Sequence, residues 1–303
     1  MRVPLRSSLL GIGLLTALFA EAQQTINVVT TSVPFLRISP DARAGGMGDI
    51  GVATAPDANA SFWNVAKTPF LESKGGISVT YTPWLKDIGV NDVFLAALAG
   101  YYKLDDESAV SGSLRYFNLG DIQFTDFSGN PLSTGKPTEL AVDISYSRKL
   151  TERWSAGASL RYINSNLARG YASSSGVVYQ AGNTVAGDIT AFYDGTDELG
   201  SGVRFGAALT NLGGKIGYTN NATEKDYIPA NLGLGFTYTK AFDETNKIMF
   251  GIDINKLLVP TPPVATGDSA IDATALLDYR SKSVVSSWFS SMGDADGGMG
   301  EEF

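Results

Sequence analysis

The chain has 303 residues, no cysteine, no histidine and a formal net charge of -8 at pH 7. Disulfides and thiolate metal sites are thereby excluded, and Ser-His-Asp triads, the common zinc centres and most acid–base designs working near neutral pH lose their essential side chain. The acidic balance also lacks the basic stripe that nucleic-acid binding requires, so no nucleic-acid partner is expected.

In chain order, Arg2 and Arg6 precede an uncharged apolar run, Leu9 to Phe19, and Ala20-Glu21-Ala22 has a small-x-small cleavage pattern. Residues 1–22 therefore read as a cleaved secretory signal, too short to span a membrane, with Gln23 as the mature N-terminus. After it, no window holds 18 consecutive apolar residues, so no transmembrane helix is expected. An exported, Gly- and Tyr-rich, cysteine-free chain points to an all-β periplasmic protein or an outer-membrane barrel.

Gly46-Met47-Gly48-Asp49-Ile50-Gly51 spells G-x-G-x-x-G. A dinucleotide loop would need a buried strand before it, yet "VPFLRISPDARA" (33–44) carries two prolines and three charges. No cofactor is expected. The apolar, Gly-rich stretch 36–70 instead suits an N-terminal plug, with residues 23–75 forming the periplasmic N-terminus and lumenal plug. Gly46 and Gly48 are expected against the barrel wall, Trp63 buried, and Asn64 bonding backbone groups at a turn.

From residue 76 the period is two. In "ELAVDISYSRKL" (139–150), Leu140, Val142, Ile144 and Tyr146 share one face and Asp143, Ser145 and Ser147 the other. The same alternation marks 153–163, 203–209, 232–238 and 248–254, more weakly 92–103, 107–118 and 183–193, and briefly 76–83. These are about nine strands of the roughly ten residues that cross an outer membrane when tilted. Aromatics such as Tyr146, Trp154 and Tyr193 stand at strand ends, as interfacial girdles require. Short charged connections ("KLDDE", "KLTERW", "DGTDELGS", "FDETN") alternate with long ones at 119–138, 165–182, 213–229 and from 257 on. A β-sandwich has no reason to sort its loops in this way. An outer-membrane barrel does, and the barrel is assigned to residues 76–303. Nine is odd, and no strand precedes Phe303, so the closing C-terminal strands are expected to be missing from this chain. Val142, Ile144, Leu160, Phe205, Leu234 and Ile252 should face lipid. Asp143, Arg161, Arg204 and Asp253 should face the lumen or its rims.

No catalytic constellation emerges. Asp105-Asp106 and Asp197-Glu198 lie in short turns and read as solvated surface. Asp294, Asp296, Glu301 and Glu302 lack a complete Ca²⁺-loop spacing. The triplets at Asn59 and Asn221 match a glycosylation pattern by chance. The long connections carry Phe124, Phe127, Tyr171, Tyr179, Tyr218 and Tyr227 in polar surroundings. Aromatics are favoured at protein interfaces, so these six are candidate partner-binding residues.

The run "ARAGGMGDIGVA…DANASFWNVAK" resembles the N-terminal hatch of FadL-like outer-membrane barrels, in which a Gly-rich run leads to a D-A-x-x-x-x-x-N-P-A element. Asp57, Ala58, Asn64 and Ala66 match it, and Val65 stands where proline is usual. "TNLGG" (210–214) and "DINKLLVPTPP" (253–263) narrow the resemblance, which covers residues 36–263, to the PorV family of the type IX secretion system. The resemblance implies a larger barrel than the strands seen here and a hatch containing Asp41, Arg43, Gly46, Gly48, Asp57, Trp63 and Asn64. It also implies a non-enzymatic outer-membrane carrier surrounded by membrane lipid and lipopolysaccharide. Such a carrier docks beside the type IX translocon barrel, receives the C-terminal signal domains of secreted proteins and passes them to the surface attachment (sortase) complex. The alternative is a FadL-type transporter of hydrophobic small molecules. A lipid hydrolase would lack an activating base.

Overall fold

Alternation of apolar with small or polar residues suits a sheet with two different surroundings, and the chain builds one sheet of nine strands. They are β1 (Gly75–Pro83), β2 (Val93–Lys103), β3 (Ser108–Leu119), β4 (Thr138–Lys149), β5 (Trp154–Asn166), β6 (Gly182–Asp194), β7 (Gly202–Gly213), β8 (Asn231–Ala241) and β9 (Lys247–Leu257). The computed structural model describes residues 29–125, 128–172, 176–221 and 224–293. The expected secretory signal at 1–22, Phe127, Ala222, Thr223 and the tail bearing Asp294, Asp296, Glu301 and Glu302 lie outside the described residues.

Each strand pairs antiparallel with its neighbour in chain order, and among the described residues β1 and β9 remain edges, so the sheet is not closed. The architecture is all-β and barrel-like. No described helix is long and apolar enough to cross a membrane. The strands run longer than the alternation alone marked, most clearly β7, which extends to Gly213.

The two faces separate as the period requires. Val142, Ile144, Leu160, Phe205, Leu234 and Ile252 are all exposed on the convex face. Asp143, Arg161 and Arg204 are buried on the concave face, and half-buried Asp253 bonds to backbone there. Concave burial brings charges together, and they are paired. The Arg161 guanidinium bonds Asp143, Asp188 (2.9 Å) and Asn211, while Ser113 Oγ donates to Asp143 at 2.7 Å. The cluster ties β3, β4, β5, β6 and β7 across one face.

The short connections are built by their acids. The Asp105 carboxylate accepts from the amides of Glu107 (2.8 Å) and Ser108 (2.6 Å), and Asp197 accepts from the Ser201 amide at 2.8 Å. Asp243 accepts from the Asn246 side-chain amide (2.9 Å) and from the backbone amides of Thr245 and Asn246, and these bonds hold its carboxyl down at about 2. Such side-chain-to-backbone bonds are what favour aspartate in turns.

At the opposite end the long connections have structure of their own. Ile122–Thr125 pairs with Pro131–Gly135, and Ile216–Gly217 with Lys225–Asp226. After β9 come two helices, α3 (Ser269–Ser281) and α4 (Val284–Gly293), which follow α1 (Ala42–Gly45) and α2 (Ala60–Trp63) of the N-terminal segment. The Asp268 carboxylate caps α3 by accepting from the amides of Ala270 and Ile271.

Two outcomes test this arrangement. Leu234→Arg, on the convex face, should cost roughly 2–4 kcal/mol when the wall is in lipid, read from denaturant unfolding in vesicles. Arg161→Met leaves two buried carboxylates without their cation and should cost about 3–5 kcal/mol in the same assay.

Candidate functional site

The concave face is occupied by the N-terminal segment. Near the end with long connections, Val33, Phe35 and Leu36 share a core with Leu95, Phe117 and Ile163 of the wall. Arg115 donates to the Leu36 carbonyl at 2.7 Å and lies over the Phe62 ring at 5.2 Å. Near the end with short turns, Phe70 meets Phe192 edge-on at 5.6 Å, with the Lys149 ammonium over its ring at 4.8 Å. The segment therefore runs the height of the wall before β1 begins.

Between these ends the backbone at 51–66 is bonded by wall side chains. The amides of Gly51 and Val52 donate to Asp253 Oδ2 at 2.7 and 2.9 Å, and Thr237 Oγ1 donates to the Ala53 carbonyl at 2.9 Å. Ala66 donates its amide to Thr190 Oγ1 at 3.1 Å and accepts from Ser155 Oγ at 2.5 Å. Fully buried Asn64 bonds in both directions. Its Nδ2 donates to the carbonyls of Val52 (3.0 Å) and Ala191 (2.9 Å), and its Oδ1 accepts from the Ala66 amide. Asparagine suits this place because one short side chain carries both a donor and an acceptor.

Asp41 and Arg43 hold the segment's own fold. Asp41 caps α1 by accepting from the Arg43 amide at 2.9 Å, and also accepts from Asn59 Nδ2 (3.2 Å) and Trp63 Nε1 (3.3 Å). Arg43 pairs with Asp57 at 2.6 Å, which joins the Gly-rich run to the D-A element. Asn59, the head of one glycosylation triplet, is thus part of this internal network.

Three expectations here are corrected. Gly46 and Gly48 are exposed and do not touch the wall; Gly46 ends α1, and Gly48 has φ +77°, a conformation that glycine adopts freely. Trp63 is half-buried rather than buried, because its indole covers Gly51 while its N–H reaches back to Asp41. The glycines of close approach are on the wall. A Cβ at Gly206 would overlap the Val52 carbonyl, one at Gly235 would lie 2.8 Å from the Ala53 amide, and one at Gly157 2.6 Å from the Val65 side chain.

The sequence reading also passed over Lys67. Its ammonium is buried and donates to the Gly51 carbonyl at 2.6 Å and to Thr54 Oγ1 at 3.2 Å. Burial pushes its pKa down from 10.5 to about 8. Its lone position just after the asparagine element is the only sequence signal that could have found it.

The loop aromatics divide. Phe124, Tyr171 and Tyr179, all half-buried, form one stack, with centroids 4.7 Å apart for the first pair and 6.3 Å for the second. Half-buried Tyr218 donates to Ser165 Oγ at 3.0 Å. Tyr227 is buried, which corrects its reading as an exposed contact residue. Its hydroxyl lies within bonding distance of the Tyr279 and Lys282 carbonyls and Ser287 Oγ, and Lys215 stands over its ring at 4.1 Å. Lys215 also donates to the carbonyls of Arg280 (2.6 Å) and Lys282 (2.7 Å), closing the C-terminal end of α3. Tyr279 joins Tyr227 edge-on, and burial raises its phenol to about 12. No described group of three or more acidic side chains is arranged to hold a metal ion.

Lys67 gives a signed pH prediction. Between its folded value near 8 and its ordinary 10.5, the unfolded chain binds the extra proton, so stability rises with pH across that window. The difference in denaturation midpoint between the wild type and Lys67→Met should therefore shift in favour of the wild type from about pH 8 upward, at no more than about 1.4 kcal/mol per pH unit. A second outcome separates the glycines. Gly206→Val should expose residues 40–68 to protease, whereas Gly48→Asn, which tolerates positive φ, should leave them protected.

The family model for the type IX secretion system protein PorV matches residues 20–264. No curated protein sequence matches the chain. The match covers the anchored segment and all nine strands, and with it the chain belongs to the PorV family, an outer-membrane component of type IX secretion.

Proposed function

We propose that the protein is a non-enzymatic carrier of type IX secretion. In this reading it docks beside the translocon barrel, receives C-terminal signal domains of exported proteins and hands them to the surface attachment complex. The short turns lie in the periplasm and the long connections outside the cell, as outer-membrane barrels arrange them. Residues 40–68 act as the plug, with Asp41, Arg43, Asp57, Trp63 and Asn64 holding its shape and anchorage.

The observation that carries the reading is the anchorage itself. A segment bonded to the wall at Asn64, Ala66, Gly51, Val52 and Ala53 leaves polar spaces beside it. One of about 140 Å³ is bordered by Arg115, Asn211, Asn231 and Asn255, and one of about 1030 Å³ on the turn side by Glu72, Asp194, Asp197, Arg204 and Lys247. Neither is the continuous apolar channel that a hydrophobic compound would need, which weighs against the FadL-type transporter. Function then falls to the external end, where the stack of Phe124, Tyr171 and Tyr179 gives a preorganised aromatic surface.

Truncation of an aromatic anchor at an interface commonly costs 2 kcal/mol or more, about thirtyfold in affinity. Phe124→Ala with Tyr171→Ala should reduce capture of signal domains by at least that factor, measured by pull-down from membranes with equal barrel abundance. Tyr227→Ala should instead lower abundance, because it removes a buried support. Normal secretion by the stack variant, together with lost uptake of hydrophobic compounds on widening or blocking the plug, would replace the carrier with the transporter.

A further inference from the structure

The convex face carries a depression. Where Ala191 pairs with Ala207 on this face, the wall has little side-chain bulk, and an apolar groove of about 410 Å³ results. The adjacent pair Gly206 and Gly235 contributes backbone to the groove, while on the concave side it lies against residues 52 and 53. One bank is an aromatic ladder, Trp154, Tyr193, Phe205 and Phe236, with successive centroids 5.0, 6.0 and 5.2 Å apart. The other is formed by Leu234, Ile252 and Ile254.

The groove begins at the turn-side rim, since Trp154 opens β5 directly after a short connection, and it reaches past the middle of β9 at Ile254. At that rim Arg153 is exposed and donates to the Tyr193 hydroxyl at 3.4 Å, which brings its guanidinium to the head of the ladder. The exposed apolar residues around the groove, Phe205, Leu234 and Ile252, belong to the same band as Ile144 and Val185, so the groove is continuous with the lipid-facing surface.

We propose that this groove is a phospholipid site of the periplasmic leaflet, taking one acyl chain between the ladder and the aliphatic bank and the headgroup phosphate at Arg153. The inference rests on the reading of the sheet as an outer-membrane wall. An apolar recess in such a wall offers water no partners, so hydrocarbon fills it. A tryptophan at the rim marks the interface level, and an arginine beside it presents the planar donor set that suits phosphate.

The test uses the full chain in vesicles of phosphatidylethanolamine and phosphatidylglycerol, doped with a phospholipid bearing a diazirine on its acyl chain. After photolysis, peptides containing Ala207, Leu234 and Ile252 should carry several-fold more label than those containing Ile144 and Val185. Ala207→Phe, which fills the groove from the lipid side, and Ala191→Leu as a second filling variant should each reduce the excess to the level of the band. Arg153→Gln should reduce it in part. Uniform label along the band, or an excess that survives both filling variants, would overturn the site. So would preferential label from diazirine-bearing lipopolysaccharide in a parallel arm, or displacement of the label by added free fatty acid alone. Absence of label from the whole band would overturn the membrane reading together with the site, which keeps the two failures distinguishable.

Discussion

A stretch of irregular backbone laid along the inside of a sheet must find partners for its N–H and C=O groups without a neighbouring strand to supply them. Here the wall's side chains supply them. One carboxylate oxygen of Asp253 takes two consecutive amides, Thr237 and Ser155 donate to carbonyls, and Thr190 accepts an amide. Asn64 completes the set by reaching from the segment to the Ala191 carbonyl. These contacts come from four different strands, so the segment and the wall specify one another's position.

Close approach follows from the same constraint. Side chains as short as aspartate, threonine and serine reach the segment's backbone only if that backbone lies almost on the sheet, and Gly157, Gly206 and Gly235 allow it. On the other face the groove lies over the cross-strand pair Ala191 and Ala207, whose small side chains form its floor.

The polarity of the concave face is handled in two ways. Around Arg161 the charges neutralise one another in a closed cluster with Asp143 and Asp188. At Lys67 the ammonium has only neutral oxygens of Gly51 and Thr54 as bonding partners, and burial lowers its pKa to about 8. The first arrangement stiffens five strands. The second makes the stability of the docked segment rise with pH above about 8. At the end with the long connections, Lys215 and Tyr227 bind α3 and α4 to the connection between β7 and β8, so that end is a packed layer.

Period-two alternation determined the strands and their faces from sequence alone, because a one-residue slip would exchange Asp143 with Val142 and bury the wrong set. Loop asymmetry likewise distinguished the two ends, and the run from Asp57 to Ala66 with "DINKLLVPTPP" carried the family. Tertiary structure alone decided contacts between segments far apart in the chain. That Gly206 rather than Gly48 meets the opposing backbone depends on where residues 51–54 dock, and nothing in either local sequence encodes it. Tyr227 looked like an exposed loop residue because its neighbours are polar, yet its partners come from 279–287, some fifty residues onward. Helices α3 and α4 escaped notice for the same reason. In α4 the apolar stripe of Val285, Phe289 and Met292 faces outward and Ser287 meets Tyr227, so the face that packs on the rest of the chain is the polar one.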